Sequence, residues 1–490
     1  MGVDSKSKKN TIYSLIKAVT AIIFPLITFP YSSRVLGVEN YGKINFASSF
    51  VSYFALLASL GLATYAIREC AKVKDNREEL GALASKLLSI NLLATIVSYL
   101  LLAISLIVSA FLREYFWLMC IYSFAIVFNT LGADWLNMAL GDFKYITIRG
   151  LIMNVVSIVL MFIFVHKASD YIVFAIITVT ASSGANLLNI FYRHRYCRVL
   201  PTIHMELKKY LPPILLMFSI IIVQEVFVSS DTVIIGFLLG DESVGLYGAA
   251  TKIYKLPSAV TNSLTNVLLP SLAIAFTARD FDKIKSIQKY GINFLALIGF
   301  PCAAGLIVFS KEIIELASGS DYVGASFSLM ILGIAYFISL LGMVVTNFNV
   351  IACGKDKLCF FACLISAAIN IGLNFWLIPI YGINAAAFTT VLSHFIVLII
   401  ELPFIDKKGF DSKCFTVTIR PFICTAVLVG WLFLAKHFIS NIYLLIVVGV
   451  VFGAIIYFSL CILAREEMTI DFLRNVINKM KPKRKETNDQ

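Results

Sequence analysis

Charge is what this chain has least of. Only 14% of its 490 residues are Asp, Glu, Lys or Arg, against about 25% in soluble domains. An ordinary cytosolic enzyme, a disordered chain and a fibrous chain are therefore excluded. Paired cysteines are missing too. Ten cysteines are scattered, mostly inside apolar runs such as those holding Cys120, Cys302 and Cys461, with no spacing of a disulfide framework or zinc site. Cys353, Cys359 and Cys363 lie close together with no histidine nearby and read as packing residues. No stretch is long enough for a soluble domain. The longest segments between apolar runs are 192–210 and the C-terminal tail.

What fills the chain is hydrocarbon. The apolar share is 59% and the mean hydropathy +0.87. Runs of roughly 20 apolar residues, enough to cross about 30 Å of bilayer, recur along the sequence. Fourteen are counted, from 12–33 to 442–464. They predict an all-α polytopic membrane protein of about 14 transmembrane helices. Lys6, Lys8 and Lys9 precede the first run, but that run is long and lacks a small-residue cleavage site, so it reads as an uncleaved first helix.

The formal net charge is +12. A basic balance can mean nucleic acid, yet here the position of the charges explains it without such a partner. With the N-terminus inside and the runs alternating, inner segments hold 32 Lys and Arg and outer loops 6, while Lys17, Lys252 and Lys255 fall within runs. That asymmetry predicts an even number of crossings and two cytoplasmic ends. In the tail, Leu473, Val476, Ile477 and Met480 stand at helical spacing before Lys481, Lys483, Arg484 and Lys485. The pattern suits a short helix on the inner leaflet or a solvated tail.

The sequence also repeats. Residues 36–47 read LGVENYGKINFA and residues 239–250 read LGDESVGLYGAA, with five identities at an offset of 203. Both segments join outward hairpins, and an offset of six crossings keeps the two copies in the same orientation, as in parallel-repeat transporters. The expected organisation is a six-helix lobe over 1–205, a second over 206–405, and two extra helices with a basic tail over 406–490. A cavity between such lobes is the usual place for a transported substrate.

Charges inside the runs need a partner or water, because each costs about 2.5–3.5 kcal/mol at mid-bilayer. The candidates are Lys17, Asp134, Glu225, Asp231, Lys252 and Lys255, with His394 and Glu401 in the twelfth run. Folding runs seven and eight about residues 241–242 sets Asp231 level with Lys252 and Glu225 one turn deeper than Lys255. Lys252 and Lys255 share a helical face. The eighth run adds Ser258, Thr261, Asn262, Ser263, Thr265 and Asn266, and Pro257 and Pro270 allow it to bend. One reading is a cationic wall for an anionic cargo. The other is two internal ion pairs, Asp231–Lys252 and Glu225–Lys255. Asn370 and Asn374, four apart, are expected to bridge helices.

Two motifs fail on inspection. Gly37 to Lys43 has the G-x-x-x-x-G-K spacing, but Ile44 follows where a phosphate loop needs a hydroxyl. Asp280 and Asp282 sit beside Lys283 and Lys285 in a loop too short to cradle a nucleotide.

The stretch from Pro25 through Arg34 and Gly37 to Gly42 resembles the first hairpin of Wzx-type oligosaccharide flippases. Gly61 to Glu69 resembles their second-span exit, and Val244 to Lys255, with Leu269-Pro270, their eighth span. The resemblance implies a bacterial inner-membrane carrier for undecaprenyl-diphosphate-linked repeat units, serving O-antigen or capsule synthesis beside a polysaccharide polymerase and a chain-length regulator. It implies a cavity lined by basic residues, to which Lys252, Lys255, Lys17 and Arg34 are assigned. Glu225, Asp231 and Asp134 are assigned to ion pairing or coupling. It implies no cofactor beyond a sodium or proton gradient. Two alternatives stay open: a cation-coupled multidrug or metabolite antiporter of the same fold, kept in play by Asp134 and Glu225, and, more remotely, a membrane-embedded polymerase.

Overall fold

The computed structural model describes residues 5–406, 409–410, 412–471 and 474, with side chains for the same residues except 5–19, 21–22, 220, 227–228 and 412–413. The tail positions Leu473, Val476, Ile477 and Met480 and the side chain of Lys17 lie outside the described residues.

Every regular element among the described residues is helical. The order is α1 (Ser5–Ser59), α2 (Leu62–Lys72), α3 (Arg77–Val108), α4 (Phe116–Gly132), α5 (Asp134–Ala139), α6 (Phe143–Phe164), α7 (Ala185–Tyr192), α8 (Leu207–Leu239), α9 (Asp241–Ala278), α10 (Phe281–Val308), α11 (Ser326–Val345), α12 (Asp356–Tyr381), α13 (Ile383–Glu401), α14 (Thr416–Phe438) and α15 (Gly453–Leu463), with shorter pieces between them. Starts are set by short polar side chains. Asn76 accepts from the backbone N–H of Glu78 and Glu79 at 3.1 and 3.2 Å, and Asp280 caps α10 through Lys283 N–H.

Among the described residues, twelve stretches are long and apolar enough to cross a membrane. One of them, Ile23–Lys72, runs through Gly37, where the backbone leaves helical geometry, and so holds the first two expected crossings. Phe116–Gly132 is a shorter apolar helix over the fourth expected run. The chain is a multi-pass membrane protein.

Its surface is inverted relative to a soluble fold. Ile107, Trp117, Phe191 and Phe438 are each more than 70% exposed. The interior carries polar bridges instead: Ser98 Oγ donates to Phe54 O at 2.6 Å, Asn91 Nδ2 to Ala58 O at 2.6 Å, and Thr95 meets Thr130 at 2.8 Å. Helices in hydrocarbon gain nothing from burying oil against oil, so hydroxyls, amides and close packing bind them.

The chain divides into two compact units. The first comprises Met1–Ala249, Ala317–Ala325 and Cys363–Ala386, and the second Ala250–Leu316, Ser326–Ala362 and Ala387–Gln490. In the first, α1 packs on α3, α4 and α6. A core around Leu62, Leu80, Leu87, Trp135, Leu136 and Ile214 ties α2 to α3, α5 and α8. In the second, α10 packs on α11 and α14, and Phe309, Leu428, Leu432 and Tyr457 join α14 to α15.

Candidate functional site

The charged candidates fall into separate settings. In the first unit, Asp134 opens α5, just after Ala133 turns the chain through a left-handed residue. Its Oδ2 accepts from Arg149 Nη2 at 2.6 Å across to α6. Arg149 Nη2 also reaches Asn186 Oδ1 at 2.8 Å. Asn189 on α7 donates to Gly132 O at 2.6 Å and to Asp134 Oδ1 at 3.3 Å, while Asn137 donates to Asn189 at 2.9 Å. Arg149 lies over the ring of Tyr145, which stacks on Tyr192 at 3.6 Å. Asp134 is thus a partner in a packed polar knot. Charge counting assigns Arg149 to an inner loop, although one apolar turn, Tyr145 to Ile148, already precedes it.

Asp231, on α8, is buried, with 6% exposure. Its Oδ2 accepts from Tyr247 Oη at 2.8 Å and its Oδ1 from Asn374 Nδ2 at 2.6 Å. Asn374 also donates to Asn370 Oδ1 at 3.0 Å, and Ser230 Oγ reaches the same oxygen at 3.4 Å. The expected amide bridge is therefore present and joins α12 to α8. Tyr247 lies within the repeat segment 239–250 but carries no charge, so nothing in the sequence singles it out as the partner of Asp231. Glu225 is half-buried and accepts from Ser229 Oγ at 2.8 Å. Arg34 is exposed and runs beside Gly319.

In the second unit, Lys252 is half-buried and Lys255 exposed on α9, which continues as a helix through Pro257 and Pro270. Most of the helix's hydroxyls turn back on its own backbone: Ser258 onto Tyr254 O, Thr261 onto Pro257 O, Thr265 onto Thr261 O. α9 exposes Lys255, Asn262 and Asn266 at i, i+7 and i+11 on one face, and Val260, Val267 and Ile274 on another. Tyr254 Oη lies 3.3 Å from His394 Nε2. Glu401 is fully buried and accepts from Thr346 Oγ1. Among the described residues no three His, Cys, Asp or Glu are grouped to hold a metal ion.

α9 thus presents a basic and amide face in a membrane protein whose described elements are all helical, an arrangement that suits a carrier. The comparisons agree. The family model for polysaccharide biosynthesis proteins matches residues 7–276. The chain belongs to the polysaccharide biosynthesis protein family. A second model, MatE, matches residues 213–376. Among relatives of this polysaccharide biosynthesis protein, a provisionally assigned O-antigen transporter of Escherichia coli K12 is 23% identical over 82% of this chain and 97% of its own. A provisionally assigned low-salt glycan biosynthesis flippase of Haloferax volcanii is 25% identical over 48% and 49%. Among solved structures, the lipid II flippase MurJ in an inward closed conformation superposes with a TM-score of 0.70 at 17% identity, covering 96% of this chain and 100% of that one. An inward-facing multidrug MATE transporter gives 0.59 at 16%, covering 83% and 95%. These two establish the fold.

Proposed function

We propose that the protein is a flippase carrying lipid-linked oligosaccharide repeat units, joined to undecaprenyl diphosphate, from the inner to the outer leaflet of a bacterial cytoplasmic membrane. The observation that carries this reading is the match to the O-antigen transporter over 97% of that protein's length. The cargo joins a prenyl tail to a diphosphate and a glycan. Every hydroxyl of the glycan loses hydration on entering hydrocarbon, at a cost of roughly 2–7 kcal/mol if left unpaired. A polar lining must replace that water while the tail stays in lipid. On α9, Lys252 and Lys255 attract the diphosphate, and Asn262 and Asn266 offer amides to the sugar. Lys17 and Arg34 are assigned supporting roles toward the same anion. The site faces each leaflet in turn. Asp231, whose carboxylate accepts from the Tyr247 phenol and the Asn374 amide, is assigned to coupling, by taking up a proton or a sodium ion. Both chain ends lie in the cytoplasm, and a polymerase and a chain-length regulator take the delivered unit.

The test is deletion of the gene and complementation. Loss should accumulate lipid-linked oligosaccharide on the inner leaflet, and the wild-type chain should clear it. Lys252→Ala with Lys255→Ala at matched protein levels should restore less surface polysaccharide. Full export by the double variant would remove both lysines from the mechanism.

The MatE match over 213–376 favours one second reading, a cation-coupled multidrug antiporter. It predicts drug resistance on expression and no accumulated lipid-linked sugar on deletion.

A further inference from the structure

The sequence repeat has a structural counterpart within the first unit. Gly37 (φ 74°, ψ 170°) interrupts the helix between the first two crossings. Gly240 (φ 81°, ψ −173°) separates α8 from α9 with nearly the same angles. The two positions are 203 apart. Five residues after each break stands another glycine, and these two touch. A Cβ on Gly42 would overlap the Asp241 carbonyl and lie 3.0 Å from Gly245 N. A Cβ on Gly245 would overlap the Val38 carbonyl. Val38 and Asp241 are also 203 apart, so the contact maps onto itself when the repeats are exchanged. One turn further on, Asn45 lies against Gly248, its own repeat mate. The crossing is backbone on backbone, with Phe46 buried at its flank and Tyr115 Oη donating to Asp241 Oδ1 at 2.6 Å.

We propose that this Gly42–Gly245 crossing is the gate that seals the outer end of the transport path. The proposal rests on the transport reading above and on its topology, which sets both hairpins outside. Two features favour a gate over a permanent joint. At Gly42 and Gly245 the closest contacts are to backbone carbonyls, so neither position has a side chain of its own to repack on parting. Each is also preceded within five residues by a glycine in a conformation closed to other residues, where a hinge can turn. Tyr115, just before α4, donates to Asp241, and Lys43 attracts the same carboxylate across the crossing; a hydrogen bond to a charged group contributes about 1.5–3 kcal/mol, a latch that can be released.

The gate is tested in whole cells with the full chain. Asn45→Cys serves as the reporter, labelled by a maleimide that cannot cross the membrane. Adding Gly42→Ala or Gly245→Ala should raise its labelling rate severalfold, because a methyl group holds the crossing apart. Gly430→Ala, where an added Cβ meets nothing within 4 Å, should leave it unchanged. In a second arm, Val38→Cys and Glu242→Cys are joined by a short cleavable thiol cross-linker. Export should stop while the link is intact and return when it is cut. Unchanged labelling in both glycine variants, or full export by the cross-linked protein, would overturn the gate. The labelling arm needs no cargo, so it stands even if the oligosaccharide assignment fails.

Discussion

At the scale of the residue, the ionic groups with described partners depend on them. Arg149 has a side chain 5% exposed and its Nη2 sits 2.6 Å from Asp134. Truncating it leaves the Asp134 carboxylate with one long amide contact in place of an ion pair. Arg149→Ala should destabilise the protein by about 1–3 kcal/mol, less than for a fully buried pair because the stranded Asp134 side chain is 23% exposed. Thermal unfolding in detergent measures it, and adding Asp134→Asn should recover part of the loss. A drop no larger than that of an exposed arginine would mean the knot bears no load. Glu466, just beyond α15, gives a pH prediction. It is 1% exposed. Burial pushes its carboxyl up, but hydrogen bonds from Thr469 Oγ1, Asn293 Nδ2 (2.6 Å) and the N–H groups of Met468 and Thr469 outweigh that and hold it below its ordinary 4.5. A depressed folded value means the stabilisation is present above pH 4.5 and is lost as pH falls through the lower folded value. Glu466→Gln should flatten the acid limb of unfolding temperature against pH. An unchanged acid limb would count against these bonds.

At the scale of the element, hydropathy locates helices and misses their joints. The expected runs 12–33 and 44–67 are separated by a kink at Gly37, and the second is broken again at Leu60 and Gly61, both left-handed, before α2 begins. The run at 115–140 closes early, at Gly132, because Ala133 adopts a left-handed conformation before α5 begins. Neither event leaves a mark on apolarity, since one residue's φ decides it. Gly37 and Gly240 show the difference in energy. Their angles lie in a region essentially restricted to glycine, where other residues incur about 1–3 kcal/mol. Gly37→Ala and Gly240→Ala should each lower stability by that amount. Gly150→Ala should be neutral or raise it by up to about 1 kcal/mol, since its Cβ has open space inside α6 and alanine favours helix. Differential scanning of the three variants separates these outcomes. Equal behaviour of Gly37→Ala and Gly150→Ala would refute the break.

At the scale of the whole molecule, the class was legible because bilayer thickness and the cost of charge in oil leave few ways to arrange so many apolar runs, and the family was legible only through the resemblance carried by Pro25 to Gly42, Gly61 to Glu69 and Val244 to Lys255. The site was legible only in part. Lys252, Lys255, Asp231 and Asp134 stand out as charges in hydrocarbon, yet their surroundings come from residues with no such signature. Tyr247 beside Asp231 and Asn189 beside Asp134 are placed by helix packing, which local pattern does not encode. The proposed orientation rests on a sum over the chain instead. With the N-terminus inside, the inner segments hold 32 Lys and Arg and the outer loops 6. Inverting the molecule would send the larger set through the bilayer, where each Lys or Arg at a helix centre costs about 2.5–3.5 kcal/mol. Fusions read the result directly. A phosphatase that folds only outside the cytoplasm should be active when joined after Gly319 and inactive after Arg279, and a fluorescent protein joined after Gln490 should mature and fluoresce. Activity after Arg279 with none after Gly319 would invert the topology, and with it the assignment of the Gly42–Gly245 crossing to the outer face.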